Sequence, residues 1–258
     1  MKINQFKDSC PICEIRPKIS KTNSHLLICQ TCGIIYYNNQ KEQISTRKKT
    51  ISILKRNKKL NKEAHKIYKF LYGKKFLPPG APLIVMVGIN IENMANYFNE
   101  MDCEVIVFNP SHLIEKDEYT KLKSIEEFFK DLQVSRKIDV IIFHKSFELI
   151  NNYREFFKII ASNLYPESVI YIETIARNLL KIICNPQKSG FSGHYLFTKQ
   201  SLSNLMRKYG YQLVAQRCDF KYVFMQKIST SLFKNDLKKA MCLRTLHEIA
   251  QKLLKVIG

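Results

Sequence analysis

Between residues 83 and 228 the chain alternates short apolar runs with stretches of helical periodicity. The run LIVMVGI, residues 83 to 89, is apolar throughout, as a strand covered on both faces of a sheet requires. A helical pattern follows through Met94, Ala95, Phe98 and Met101. EVIVF (104–108), IDVIIFH (138–144) and SVIYIET (168–174) predict three more strands, the last of them buried. LKSIEEFFKDLQ (122–133), YREFFKIIASNL (153–164) and SLSNLMRKYG (201–210) predict helices, the last stopped by Gly210. YQLVAQ (211–216) and KYVFMQKI (221–228) read as a closing antiparallel pair. Strands alternating with helices predict an α/β fold, a doubly wound and mostly parallel sheet with right-handed crossovers. The closing hairpin adds an antiparallel edge.

The flanks follow other patterns. Ile51, Leu54, Leu60, Ile67, Phe70 and Leu71 recur among lysines in a broken helical pattern, which predicts one or two helices. PPGAP, residues 78 to 82, ends that segment. The last residues, 231–258, form a basic amphipathic pattern with a stripe of Leu237, Ala240, Met241, Leu246, Ile249 and Leu253. That helix is expected to pack on the core, with a membrane surface or a partner as the alternative. The expected organisation is a small cysteine-rich module at 1–40, a basic helical linker at 41–80, the α/β domain at 81–230 and a terminal helix at 231–258.

A chain of 258 residues suits one domain of ordinary size plus a small module. Hydrophobic residues at 45% and aromatics at 11% argue against disorder. No apolar run approaches the roughly 18 residues a membrane span needs. The opening MKINQFKDSC lacks the apolar centre of a secretory signal, so a cytoplasmic location is expected. The formal net charge of +20 has two readings. A Lys-, Ile- and Asn-rich bias follows from an AT-rich genome without any functional cause. Alternatively the charge serves a polyanion partner, such as RNA, DNA, or an anionic lipid or sugar-phosphate surface. It concentrates in residues 46 to 75, where Glu63 is the one acidic residue. A solvated helix face is the commoner explanation of such a lysine run.

Four cysteines carry the sharpest spacing. Cys10 and Cys13 lie in CPIC, and Cys29 and Cys32 lie in CQTC, with fifteen residues between the two pairs. That spacing is expected of a four-thiolate zinc site, each CxxC turn supplying two ligands and a short hairpin joining them as a zinc ribbon. Disulfides or free thiols are the alternative, and an intracellular setting disfavours disulfides. With four protein thiolates no coordination position is left open, so the expected zinc is structural. Cys103, Cys218 and Cys242 read as small core residues, and Cys184 falls in a loop.

These residues together carry a family resemblance. CPIC…CQTCGIIYYN, IDVIIFHKSFELINNYREFFKIIASNLYPESVIYIET and GHYLFTKQSLSNLMRKYGYQLVAQR stand in the order found in class I S-adenosylmethionine-dependent methyltransferases with an N-terminal zinc ribbon. The chain resembles that group, which includes sugar C-methyltransferases, up to about residue 228. The resemblance implies a Rossmann-like methyltransferase sheet, S-adenosylmethionine as cofactor and zinc in the ribbon. In the group the first strand runs into an acidic residue and a glycine-rich loop. Here MVGINIE keeps Gly88 and Asn90, while Met86 stands in the acid's place, Ile91 where Asp is frequent and Glu92 where glycine is usual. The second strand ends in VFNPS, with Asn109 where the group has the acid that holds the ribose hydroxyls. An Asn accepts through its carbonyl oxygen but lacks the charge of a carboxylate.

The cofactor-binding set implied by the resemblance is Gly88, Asn90, Asn109 and His144. The implied catalytic set is His194 and Glu148. His194, in FSGHYLF, stands where the group's proposed base lies, and abstraction of a proton from carbon suits an imidazole. A loop histidine that only packs is the plain alternative. Glu148 matches a glutamate of the group's Leu-Glu-His-Ile stretch, with Leu149 in place of its histidine. It could orient the substrate or the cofactor's amino group, or simply lead a helix. His144 ends its strand at the same rim. Two functional readings result. One is methyl transfer to a small molecule, such as a nucleotide-linked or surface-polysaccharide sugar. The other is a catalytically inactive methyltransferase-like protein that binds RNA or serves in assembly.

Overall fold

The computed structural model describes residues 10, 13, 19–23, 26–29, 31–37, 53–89, 91–110, 124–174, 195–217 and 220–227. The chain divides into two units, residues 1–226 and 227–258. Of the second only Lys227 is described, so the expected terminal helix lies outside the described residues.

The first unit contains two sheets. The larger has six strands: β4 (Leu83–Gly88), β5 (Glu104–Phe108), β6 (Ile138–His144), β7 (Leu164–Glu173), β9 (Tyr211–Gln216) and β10 (Lys221–Gln226). Their order is β5-β4-β6-β7-β10-β9. The first four are parallel, and β10 runs antiparallel to both β7 and β9. This is the mixed α/β sheet with an antiparallel closing pair that the periodicity predicts. Every residue of β4 and β6 is buried, the physical reason those runs carry no polar alternation.

Each face of the sheet has its own helices. Leu83, Val85 and Val87 join Ile141, Phe143, Ile170 and Ile172 against α3 (Ile125–Asp131), α4 (Tyr153–Asn163) and α5 (Lys199–Lys208). Ile84 and Met86 join Val140, Ile142, Val169 and Tyr171 against α1 (Ile53–Gly73) and α2 (Glu92–Asn99). The alternation of side chains along each strand produces this division. Cys103 belongs to the second layer, and burial first, then the Asp102 charge, push its thiol up to about 11. It is a core residue with little nucleophilic character.

Helix starts are set by local chemistry. Ser124 and Glu127 form a reciprocal capping box for α3, Asn152 caps α4, and Thr198 and Ser201 close the start of α5. The first of these places α3 at Ile125, inside the longer 122–133 pattern, and the last starts α5 at Lys199, ahead of the expected 201. Strand β7 begins at Leu164, directly from the end of α4 and earlier than the apolar run at 168. At the opposite, amino-terminal edge, Asp139 accepts from the Leu83 N–H at 2.9 Å and from Arg136 at 3.2 Å. Arg136 also reaches Glu104 and the Ala81 carbonyl, so one guanidinium ties the starts of three strands.

The smaller sheet has the order β1 (Ile19–Asn23), β2 (Leu26–Cys29), β3 (Ile35–Tyr37) and β8 (Tyr195–Leu196). The fourth strand comes from the segment between β7 and α5, pairing Ile35 with Leu196 and Tyr36 with Tyr195. Among the described residues no helix is long and apolar enough to cross a membrane.

Candidate functional site

The register places five residues abreast across the carboxyl edge of the parallel strands. Gly88 pairs with His144, His144 with Glu173, and Glu173 with Lys221. Asn109 follows Phe108, the β5 partner of Val87, and extends the row on the other side. In open α/β sheets this is the edge at which ligands bind.

Gly88 is tightly enclosed. A Cβ there would lie 2.8 Å from Ile91 Cγ2, 2.9 Å from the His144 carbonyl oxygen and 3.1 Å from His144 Cβ. The glycine is therefore required by the protein's own packing, before any ligand is considered. Gly88→Ala is expected to destabilise the fold by about 1–3 kcal/mol, because the β6 backbone must give way. A fall in the urea midpoint at unchanged slope would show it, and an unchanged midpoint would mean that the rim opens freely.

Next to Gly88 stands a cluster of ionisable groups from α1, β6, β7 and β10. His144 Nδ1 lies 3.2 Å from Glu173 Oε2. Lys221 Nζ lies 2.9 Å from Glu63 Oε1 and 3.0 Å from Glu173 Oε2. Lys145 Nζ lies 3.5 Å from Glu173 Oε1, 3.5 Å from His144 Nε2 and 4.0 Å from Glu63 Oε2. Burial by itself would raise the Glu173 carboxyl. The hydrogen bond from His144 and the charges of His144, Lys145 and Lys221 override it and hold the group well below the usual carboxylate range. A carboxylate only accepts, so His144 Nδ1 carries the proton and donates it to Glu173. Lys145 Nζ faces Nε2 on the other side of the ring. Glu63, His144 and Glu173 also have the donor set of a metal site. The Lys221 ammonium already lies between the two carboxylates, however, and the two lysines balance their charge.

On the other side of Gly88, Asn109 Nδ2 donates to Glu92 Oε1 at 2.9 Å. Glu92 is the exposed first residue of α2. Met86 lies fully buried in the layer beneath α1 and α2.

The remaining sequence-predicted residues are distributed as follows. Glu148 is 1% exposed in a single 3-10 turn, Phe147–Leu149, after β6. Its charge is felt by Tyr153, whose phenol is raised by burial first and then by Tyr195, Glu148 and Glu126. Tyr153 donates to the Phe147 carbonyl at 3.0 Å and packs on Tyr195 with ring centroids 5.4 Å apart. Asn90 and His194 lie outside the described residues, as does Cys184. The row thus unites Gly88, Asn109 and His144.

Sequence reasoning missed Glu63, Lys145, Glu173, Lys221 and the Glu92 bond. Glu173 had a legible signal, since it closes an apolar run just as His144 closes its own. Lys221 had none, because it enters from an antiparallel strand.

The four thiols of the amino-terminal module converge. Sγ of Cys10 and Cys32 are 3.5 Å apart, as are those of Cys13 and Cys29. All four ligand atoms lie within 4.8 Å of one another, too far for disulfides and close enough to share one tetrahedral ion. Gly33, at φ +73°, supplies the left-handed turn of the second knuckle, with its N–H on the Cys29 carbonyl at 2.8 Å.

Comparison with known proteins bears on the same region. A family model described as a methyltransferase domain matches residues 75–216. No match was found among curated proteins. Among solved structures the chain is similar to DesVI of Streptomyces venezuelae, at 11% identity and a TM-score of 0.44 over 68% of this chain and 94% of that one. It is similar to a SAM-dependent methyltransferase from Archaeoglobus fulgidus, at 12% identity and a TM-score of 0.45 over 69% and 100% of the two chains. A third is the sugar N-methyltransferase KedS8 from a Streptoalloteichus species, at 11% identity and a TM-score of 0.37 over 73% and 89%.

Proposed function

Because the chain belongs to the methyltransferase domain family, we propose that it transfers a methyl group from S-adenosylmethionine to a small-molecule acceptor and that its four clustered thiolates bind one structural zinc ion. The observation that carries the first part is the row at the carboxyl edge. Gly88 and His144 pair on adjacent parallel strands and Asn109 directly follows the neighbouring β5, inside the matched segment and where α/β folds bind nucleotides. When bound, the cofactor supplies a methyl group on a sulfonium sulfur. Gly88 lets the end of β4 pack directly against Ile91 and the His144 backbone. His144 is oriented at the rim by its Nδ1 hydrogen bond to Glu173. His194 remains the base implied by the resemblance, and Glu148 and Asn90 complete the implied set. Neither the family match nor the described residues add support to an RNA-binding role.

Calorimetric titration of the full-length protein with S-adenosylmethionine and S-adenosylhomocysteine tests the reading. Binding at one site in the micromolar range is expected. A folded protein that takes up neither at millimolar concentration would overturn it. Nucleotide-linked sugars are the first acceptors to screen, with methyl transfer read by mass spectrometry.

A further inference from the structure

Glu92 and Asn109 meet across the ends of two elements. Glu92 opens α2, four positions beyond Gly88, and Asn109 follows the last residue of β5. Among the described residues, the one hydrogen bond of the Glu92 side chain is to Asn109, at 2.9 Å. The amide nitrogen is the donor by chemistry, since a carboxylate only accepts. Asn109 lies 21 positions after Gly88. That is close to the roughly 20-residue spacing at which α/β nucleotide sites set the acid that binds a ribose hydroxyl. The acid is missing from that position, and a carboxylate stands one hydrogen bond away.

We propose that Glu92 is the ribose-binding carboxylate of this protein, delivered from α2 instead of from the end of β5, with Asn109 as the positioning residue that holds it. The proposal rests on the methyltransferase reading above. Asn109 Nδ2 occupies part of Oε1 and fixes the direction of the side chain, leaving Oε2 for a hydroxyl. A charged acceptor gives a shorter and stronger bond than the Asn109 carbonyl oxygen alone. The site then keeps a carboxylate at the ribose although the position on β5 has lost it. A plain helix-start acid is a different case. The helix dipole would favour Glu92 there, but it asks for no partner at the end of another strand.

The test is a set of calorimetric titrations on the full-length protein with S-adenosylhomocysteine and with its 2′-deoxy analogue. Wild type is compared with Glu92→Gln, and with the double variant Glu92→Gly, Asn109→Asp, which moves the acid back to β5. Glu92→Gln is expected to weaken S-adenosylhomocysteine binding by about 10- to 100-fold, the worth of one hydrogen bond to a charged group. The double variant is expected to recover most of that loss. The 2′-deoxy analogue is expected to bind wild type more weakly than the parent compound and to bind Glu92→Gln no worse than the parent does. Glu92 is exposed, so melting temperatures matching wild type will confirm that the variants are folded. Wild type that binds while Glu92→Gln binds equally well overturns the proposal and leaves the methyltransferase reading standing. Wild type that binds neither compound overturns both.

Discussion

Cys29→Ser is expected to abolish zinc binding and to lower the melting temperature of the whole first unit. The four thiols fit one tetrahedral ion, and a serine hydroxyl does not replace a thiolate ligand. Structural zinc in small modules contributes on the order of 10 kcal/mol of binding energy, which is folding energy when the site does not exist in the unfolded chain. The loss is expected to spread beyond the module. Strand β3 pairs with Tyr195 and Leu196, and Tyr195 packs on Tyr153 while Phe197 packs on Phe147. A sheet that has lost its metal releases β8 and loosens the aromatic layer under α4. If about 3 kcal/mol of that reaches the first unit, its melting temperature falls by about 6–12 °C. Metal analysis should find one zinc per chain in wild type and none in Cys29→Ser, and a strong chelator should reproduce the shift. Wild type without metal, whose four thiols react freely with a thiol reagent, would defeat this account.

Lys221→Met is expected to cost about 3 kcal/mol or more. The lysine is 15% exposed and bridges Glu63 and Glu173, which are 19% and 5% exposed. Removing one partner of a buried ion pair leaves charge without compensation, at a cost of roughly 3–5 kcal/mol. Lys145 remains near both carboxylates and limits the loss. Glu63→Gln in the same chain should recover part of it, because one of the facing charges is gone. Denaturant midpoints of the single and double variants measure the coupling, and additive losses would mean that the bridge carries none.

The same cluster sets a pH dependence. Folded Glu173 titrates well below the usual carboxylate range, whereas the unfolded chain titrates near 4.3. As pH falls, the unfolded state takes up the proton first. The Glu173 contribution is therefore fully present above the ordinary glutamate range and is lost progressively as pH drops through and below it. Melting temperatures of wild type should fall between about pH 5 and pH 3. Lys221→Met should show a shallower fall, since one cause of the depression is removed. Equal slopes would mean that another carboxylate governs the acid limb.

Much of the architecture was legible because its cause is local. A strand buried on both faces must be apolar along its covered length, and LIVMV, VIIF and VIYI state that requirement directly, whereas EVIVF, just as apolar, forms the half-exposed edge strand β5. The convergence of the four thiols was legible for a similar reason, since a tight turn brings two cysteines together when two residues separate them. Boundaries were less so. Leu164 begins a strand inside a helical pattern, and the capping group at Ser124 trims a longer apolar repeat.

The candidate site divides the same way. The sequence alone put Gly88, Asn109 and His144 at or next to strand ends, and hence on one rim. Only the tertiary structure decided their partners. Glu173 meets His144 because β7 lies beside β6 in register, and Lys221 meets Glu173 because β10 returns antiparallel on the far side. Glu63 arrives from a helix 158 positions away from Lys221. Glu92 reads in the sequence as a lost glycine and in the fold as a carboxylate held against Asn109. Periodicity reports which face of its own element a side chain occupies. Strand order and register choose what stands opposite, and those are set by packing among segments far apart in the chain.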